Sequence, residues 1–395
     1  MKILISGASI AGPAVAYWLE QYGFDVTVVE RAGQLRGGGY PIDIRATALE
    51  VVKRMGIHSQ LRRAHIDTRA LSFLAPDGGL VALLRPHAVA GGDEAEDLEV
   101  PRGDLARVLY DVTKDGVEYR FNDSIAALDE DADGIDVRFA SGRVERFALV
   151  VAADGVHSST RALKFGSEEP FHRYLGYCFA GFTMPNDFGL SHEGVVWNEP
   201  GRGVALYAVQ DRPELFGFLC VTRDEPPFEA FRHPQAQRDL VAERFDGDGW
   251  KVPQVVEAMR TADDLFFDMV TQIRMPGWSS GRLALAGDAA HAPSFLTGQG
   301  SSLALVGAYV LAGELAAEFG AGGGGDHRAA FERYEALARP FAEANQNLVS
   351  PGMANLVPST AEALAARNAM FQQISSLPSD EEPAHWAIDL PDYAA

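Results

Sequence analysis

The chain has 395 residues, with 34 Lys and Arg against 55 Asp and Glu, and a formal charge of −21. Its composition, 47% hydrophobic and 23% charged, suits a folded globular protein and is too apolar for a disordered one. The acidic balance repels phosphate backbones and anionic lipid, which argues against nucleic-acid and membrane partners. Its two cysteines, Cys178 and Cys220, exclude a CxxC redox pair, a disulfide framework and a cysteine-rich zinc site. A reducing, cytoplasmic compartment is the expectation.

Residues 2–6 (KILIS) read as a buried strand, 7–12 as a glycine turn and 14–22 as a helix closed by Gly23, with Pro13 suited to its first turn. Residues 24–29 form a second strand ending at Glu30. The first 20 residues also imitate an export signal, but Gly7, Ser9, Gly12 and Pro13 interrupt the apolar stretch and a strand follows at once. After a glycine loop at 37–39, Leu49, Val52 and Met55 fall at helical spacing, with Gly56 as the stop. Short strands follow at 70–75, 80–84, 118–121, 135–139 and 146–152. An antiparallel β-rich stretch then covers 175–184, 194–197, 204–209 and 216–222. Helical patterns occupy 236–245 and 255–260, a buried strand returns at 282–286, and 301–319 reads as a long helix. Residues 321–325 are a flexible break, and the chain is helical from His327 until the acidic tail near Pro378. No run reaches the roughly 18 uninterrupted apolar residues of a membrane span, and there is no internal repeat.

The sharpest motif is Gly7-Ala8-Ser9-Ile10-Ala11-Gly12. A dinucleotide turn needs a tight turn at its first glycine, close backbone approach to a pyrophosphate at its second small residue, and tight helix–strand packing at its third. The following helix N-terminus offers unpaired N–H groups to phosphate. Glu30 closes the second strand, where a carboxylate can accept bonds from ribose hydroxyls and disfavours a 2′-phosphate. Two further pieces repeat a strand ending in an acid: Asp154-Gly155 after 149–153, and Gly287-Asp288 after 282–286. The second leads into Gly298-Gln299-Gly300 and a helix.

In this order, the dinucleotide turn, the mid-chain Asp-Gly and GDAAH…GQG resemble the group A flavoprotein monooxygenases of the para-hydroxybenzoate hydroxylase fold. The resemblance is greatest to tetracycline-modifying and polyketide-tailoring enzymes, and it covers roughly residues 1–345. It implies an α/β fold: a Rossmann-like FAD-binding domain, an inserted β-rich substrate domain and a C-terminal helical segment. The FAD domain would be assembled from 1–72, 98–165 and 272–320, the substrate domain from 73–97 and 166–271, and the C-terminal helices from 326–378.

The resemblance also implies residue roles. Gly7, Ser9, Ile10, Ala11 and Gly12 would hold the FAD pyrophosphate, and Glu30 with Arg31 the adenosine ribose. Arg36 matches a position linked to NADPH contact, Asp43 and Arg102 positions that touch FAD, and Asp154 a motif linked to FAD and NAD(P)H. Asp288 would bind the ribityl chain, and Gly298, Gln299 and Gly300 would line the isoalloxazine. The sequence departs from the family at Pro293-Ser294-Phe295 in place of Pro-Pro, at Ser302 and at Gly307, all near the flavin ring.

With one dinucleotide unit, FAD is expected as the held cofactor and NAD(P)H as a transient reductant. The resemblance then implies that O₂ gives a flavin C4a-hydroperoxide that hydroxylates, or oxidises in Baeyer–Villiger fashion, an aromatic or polyketide-like substrate. No catalytic side chain is assigned. No metal site is expected either: the histidines lack HxxxH or HExxH spacing, and His291 is expected to pack within its loop. There is no GxSxG elbow. Arg260, Arg274, Phe228, Phe231, Phe266 and Phe267 are candidates to line a pocket, with core packing the expectation for the four phenylalanines. The alternatives are a flavin oxidase or dehydrogenase on the same fold, or a non-enzymatic nucleotide-binding protein. A halogenase is disfavoured because the five tryptophans never fall two apart.

Overall fold

A computed structural model describes residues 1–35, 37, 40–90, 96–320, 324–349, 356–374 and 388–393. At its centre is a six-stranded sheet in the order Ser279–Ser280, Leu283–Leu285, Leu149–Ala152, Lys2–Ser6, Asp25–Glu30, Glu118–Phe121. All its pairings are parallel except that of Ser279–Ser280 with Leu283–Leu285. Ile3, Leu4 and Ile5 are fully buried, as expected for a central strand covered on both faces. The helices Ala11–Gln21 and Gly300–Phe319 pack against one another in the same core. Gly300–Phe319 is long and apolar enough by itself to cross a membrane, but 78% of that window is buried inside the protein.

A seven-stranded sheet follows the order Phe266–Ile273, His172–Pro185, Glu214–Thr222, Arg202–Ala208, Glu193–Glu199, Ala70–Leu74, Leu80–Leu84. It is antiparallel except where Glu193–Glu199 runs parallel to Ala70–Leu74. Alternation sorts its side chains. Phe182, Trp197, Leu206 and Leu219 join a core with Val241 and Met259 from the helices Pro234–Glu243 and Val252–Thr261. Phe179, Ala205, Tyr207 and Phe218 face the other way, into a cavity.

Residues 146–152 are two strands rather than one. Val144–Phe147 belongs to a three-stranded sheet, and the chain changes sheets at Ala148, whose N–H donates to the Lys2 carbonyl at 2.8 Å. Pro41–Ile44 and Leu98–Pro101 form a two-stranded ribbon with no clear sequence signal. The first helix begins at Ala11, which places Pro13 where a missing N–H costs no helical bond. Two core expectations are corrected: Phe228 is 55% exposed, and Phe266 is half-buried against the cavity.

Candidate active site

A cavity of about 950 Å³ runs from the N-terminal turn to the aromatic face of the seven-stranded sheet. That lies near the top of the roughly 300–1,000 Å³ range of small-molecule sites. Gly7, Ser9, Ile10, Ala11, Glu30, Arg31, Asp43, Arg102, Asp154, Asp288, Gly298, Gln299 and Gly300 all line it. Gly12 does not: it lies behind the turn, where a Cβ would strike the Gly7 carbonyl and press on Ile5. Arg36 lies outside the described residues.

The turn leaves little freedom to its glycines. Gly7 has φ +107°, and a side chain there would run into the Ala153 carbonyl of the neighbouring strand. The helix that follows has no side-chain cap and no acid in its first turn, so its positive end faces the cavity. Glu30 accepts hydrogen bonds from Ala8 N–H at 2.9 Å and Ala32 N–H at 2.8 Å, which fixes its carboxylate at the cavity wall with acceptor capacity left. Ser9, at the second glycine position of the motif, accepts a bond from Arg102 Nη2 at 2.7 Å, so Arg102 is tied to the turn.

Deeper in, Gly287 packs its Cα side against Ala11 and delivers Asp288 to the cavity. No side-chain hydrogen bond to Asp288 is found among the described residues. Burial lifts its pKa to about 6; Arg102 lowers it and Asp268 raises it further. Gly298 is left-handed at φ +66°, and a Cβ on it would come within 2.9 Å of Asp43 Oδ2, so the GQG loop rests on Asp43. Asp154 is tied to its own loop: its carboxylate accepts from the Ser158 hydroxyl and from Thr160 N–H at 3.0 Å, at the start of the helix Ser159–Phe165 whose N-cap is Ser158.

The far end of the cavity is an aromatic cage that sequence reasoning missed. Phe179 stacks on Phe218 at 5.0 Å and meets Phe295 at 4.4 Å, while Tyr40 sits edge-on to Phe218 at 5.9 Å. These rings come from separate strands and loops, so no local spacing announces them. Leu348, Leu356 and Val357 close one side. Asn198 Nδ2 donates to the Leu356 carbonyl at 3.0 Å, and Arg367 of the helix Ala361–Ile374 donates to Asn198 Oδ1 at 2.8 Å.

At the rim, His157 bonds Glu168 at 2.8 Å and Asp268 at 3.2 Å, bridging the Asp154 loop to the seven-stranded sheet. Burial alone would lower its pKa, but the two carboxylates outweigh it and raise it to about 9. His291 is buried against Trp278, with ring centroids 4.5 Å apart and neither nitrogen bonded, so it packs as expected. Arg260 pairs with Asp239 and Arg274 bonds Gln272; neither lines this cavity. No metal-ligand cluster occurs among the described residues.

The donor set fits FAD: an uncapped helix end, a cradle closed to any Cβ at Gly7, a fixed acid at Glu30 and an unbonded acid at Asp288. Residues 1–348 match the FAD binding domain family. The chain belongs to the flavin-dependent monooxygenases. A flavin-dependent monooxygenase from an unknown prokaryotic organism is 37% identical over 397 residues, covering 99% of each chain. The crystal structure of tetracycline destructase Tet(55) superposes with a TM-score of 0.84 at 35% identity, over 99% of this chain and 98% of that one. Tetracycline destructase Tet(51) gives the same TM-score at 32% identity, over 99% of both chains. This monooxygenase is therefore an FAD-binding oxidoreductase acting on a small molecule with O₂.

Proposed function

We propose that this enzyme uses NAD(P)H and O₂ to oxygenate an aromatic or polyketide-like polycyclic substrate. The observation that carries the proposal is the continuity of one cavity from the dinucleotide turn, past Asp288 and the GQG loop, to the aromatic cage. In this assignment the N–H groups of Ile10 and Ala11 face the pyrophosphate, Gly12 lets the helix pack close behind the turn, Ser9 and Arg102 steady that turn, and Glu30 with Arg31 takes the adenosine ribose. Asp288 accepts from the ribityl hydroxyls, and Gly298, Gln299 and Gly300 with Asp43 border the ring system. Asp154 acts by holding its loop through the Ser158 and Thr160 bonds. Residues 1–72, 98–165 and 272–320 would form the FAD unit, with 73–97 and 166–271 as the substrate unit and 326–378 as C-terminal helices.

When bound, FAD supplies the redox chemistry, accepting reducing equivalents and activating O₂ so that one oxygen atom reaches the substrate and the other leaves as water. The chain supplies position and dryness. Phe179, Phe218, Phe266 and Phe295 offer flat apolar walls against which a polycycle is held, and Gly203 and Ala205 leave depth at the floor. Leu356 and Val357, hydrogen-bonded to the sheet through Asn198 and Tyr177, keep bulk water from that side. The relatives named tetracycline destructases make tetracycline one member of the panel to try.

The test is to purify the protein, record flavin absorbance, and screen fused-ring phenols and tetracycline for stimulated NAD(P)H oxidation. A flavin-loaded protein whose NAD(P)H consumption rises with a panel member supports the proposal. Substrate-driven flavin reduction without NAD(P)H would instead make it an oxidase or dehydrogenase.

A further inference from the structure

One carboxylate of the cavity, Glu99, is not used by the FAD assignment above. It lies on Leu98–Pro101, directly opposite Asp43 of Pro41–Ile44 in the antiparallel ribbon, and both residues line the cavity. Directly opposed like charges weaken a ladder, so this pair costs stability. Arg45 stands beside the pair, with Nη2 3.1 Å from Asp43 Oδ2 and Nε 3.8 Å from Asp97 Oδ2. Glu99 has no ion pair among the described residues.

The groups around Glu99 come from every neighbouring element. Asp43 and Arg45 face it from the paired strand, Thr68 from the loop before Ala70–Leu74, and Tyr207 from the seven-stranded sheet. His65 is turned to the backbone of Glu99, its Nδ1 3.1 Å from both the N–H and the carbonyl oxygen, and Asp97 precedes it on the chain. Burial, then the Asp43 carboxylate, raise the pKa of Glu99 well above the usual carboxylate range; Thr68 and Arg45 oppose this to a smaller degree. Of the facing pair it is Glu99 whose proton affinity burial and the neighbouring carboxylate bring toward neutrality. Beside it, Leu71, Phe73, Val196, Ala205 and Tyr207 form a largely apolar wall continuous with the aromatic cage.

We infer that Glu99 is the catalytic base that takes the O–H proton of a phenolic or enolic substrate, an assignment that rests on the oxygenation proposed above. The step is a proton transfer alone. The substrate O–H bond breaks, its electron pair stays on oxygen and spreads into the ring, and the Glu99 carboxylate becomes a carboxylic acid. No oxidant or reductant is consumed. The charge of the lobe is unchanged, because Glu99 becomes neutral as the substrate becomes anionic, so Asp43 sets no new electrostatic barrier. A more electron-rich ring is the better acceptor of an electrophilic oxygen atom. The substrate class that follows is one with an ionisable hydroxyl on the ring that is oxygenated.

The experiment is E99Q, which keeps the side-chain volume, with E99D as the conservative control and FAD content as the check on folding. With a panel phenol that wild type oxygenates, product formed per NAD(P)H consumed should fall about a hundredfold in E99Q. The acid limb of the wild-type pH profile should vanish, and E99D should recover part of the loss. Independently of turnover, 4-nitrophenol added to the FAD-loaded proteins should show its phenolate band at lower pH in wild type than in E99Q. Wild-type coupling and pH profile in E99Q, or superimposable 4-nitrophenol titrations, would overturn the role of Glu99 while leaving the monooxygenase proposal intact. A wild type that oxygenates only substrates without an ionisable ring hydroxyl overturns the role of Glu99 alone, and one that oxygenates no aromatic or polyketide-like substrate overturns both.

Discussion

Replacing His157 by Gln should destabilise the protein at neutral and mildly acidic pH and leave it nearly unaffected in alkali. The imidazole is held between Glu168 at 2.8 Å and Asp268 at 3.2 Å, and its pKa rises from 6.5 to about 9. At about 1.4 kcal/mol per pH unit, a rise of that size corresponds to roughly 3 kcal/mol in a shielded site. The side chain is 36% exposed, so solvent screening reduces this to about 1–2 kcal/mol. Since the folded-state value lies above the unfolded one, the contribution is complete below about pH 6.5 and is lost as the pH rises through about 9. Thermal melts of FAD-loaded wild type and H157Q should therefore differ by about 1–2 °C near pH 6 and converge near pH 10. A gap that stays constant, or widens toward alkaline pH, would refute a charged His157 bridging the Asp154 loop to the seven-stranded sheet.

Three further outcomes follow from the cavity. Gly7→Ala forces a side chain at φ +107° into the Ala153 carbonyl, a strain of about 1–3 kcal/mol. FAD affinity, read by flavin fluorescence titration, should fall about 10–100-fold, and undiminished binding would contradict the cradle. Asp288→Asn should weaken FAD by about tenfold or more, as one partner of charge-assisted bonds is lost. The apoprotein should respond in the opposite sense. Asp288 binds its proton more tightly folded than unfolded, so wild type loses stability as the pH rises from about 4 to about 6. D288N should melt above wild type near pH 8 and level with it near pH 4. Phe179→Ala removes the ring that touches Phe218, Phe266 and Phe295, and should raise KM for a polycyclic substrate about tenfold with FAD content unchanged. A change in FAD content instead would place Phe179 against the cofactor.

The nucleotide end of the site was legible in the sequence because its chemistry is local. Gly7, Ser9, Gly12 and Glu30 sit within one β-turn-α-β unit, and Asp288 and Gly298 each follow a strand at short range. The substrate end was not, because its walls are assembled by the sheet. Tyr40, Phe179, Phe218, Phe266 and Phe295 lie on five segments and meet only through strand pairing. Phe266 and Phe267 look alike in the chain, and strand alternation sends one to the cavity and the other to the core. Glu99 was hidden for the same reason: its significance depends on the register that sets it opposite Asp43. The Asp154 motif was visible, but only the fold shows that its carboxylate is occupied by Ser158 and Thr160.

The most direct test of the central claim is isotopic. FAD-loaded enzyme, NADPH, a panel substrate that stimulates NADPH oxidation and ¹⁸O₂ should yield a product carrying one labelled oxygen atom. Product oxygen derived from labelled water, or substrate turnover that consumes no NAD(P)H, would contradict it.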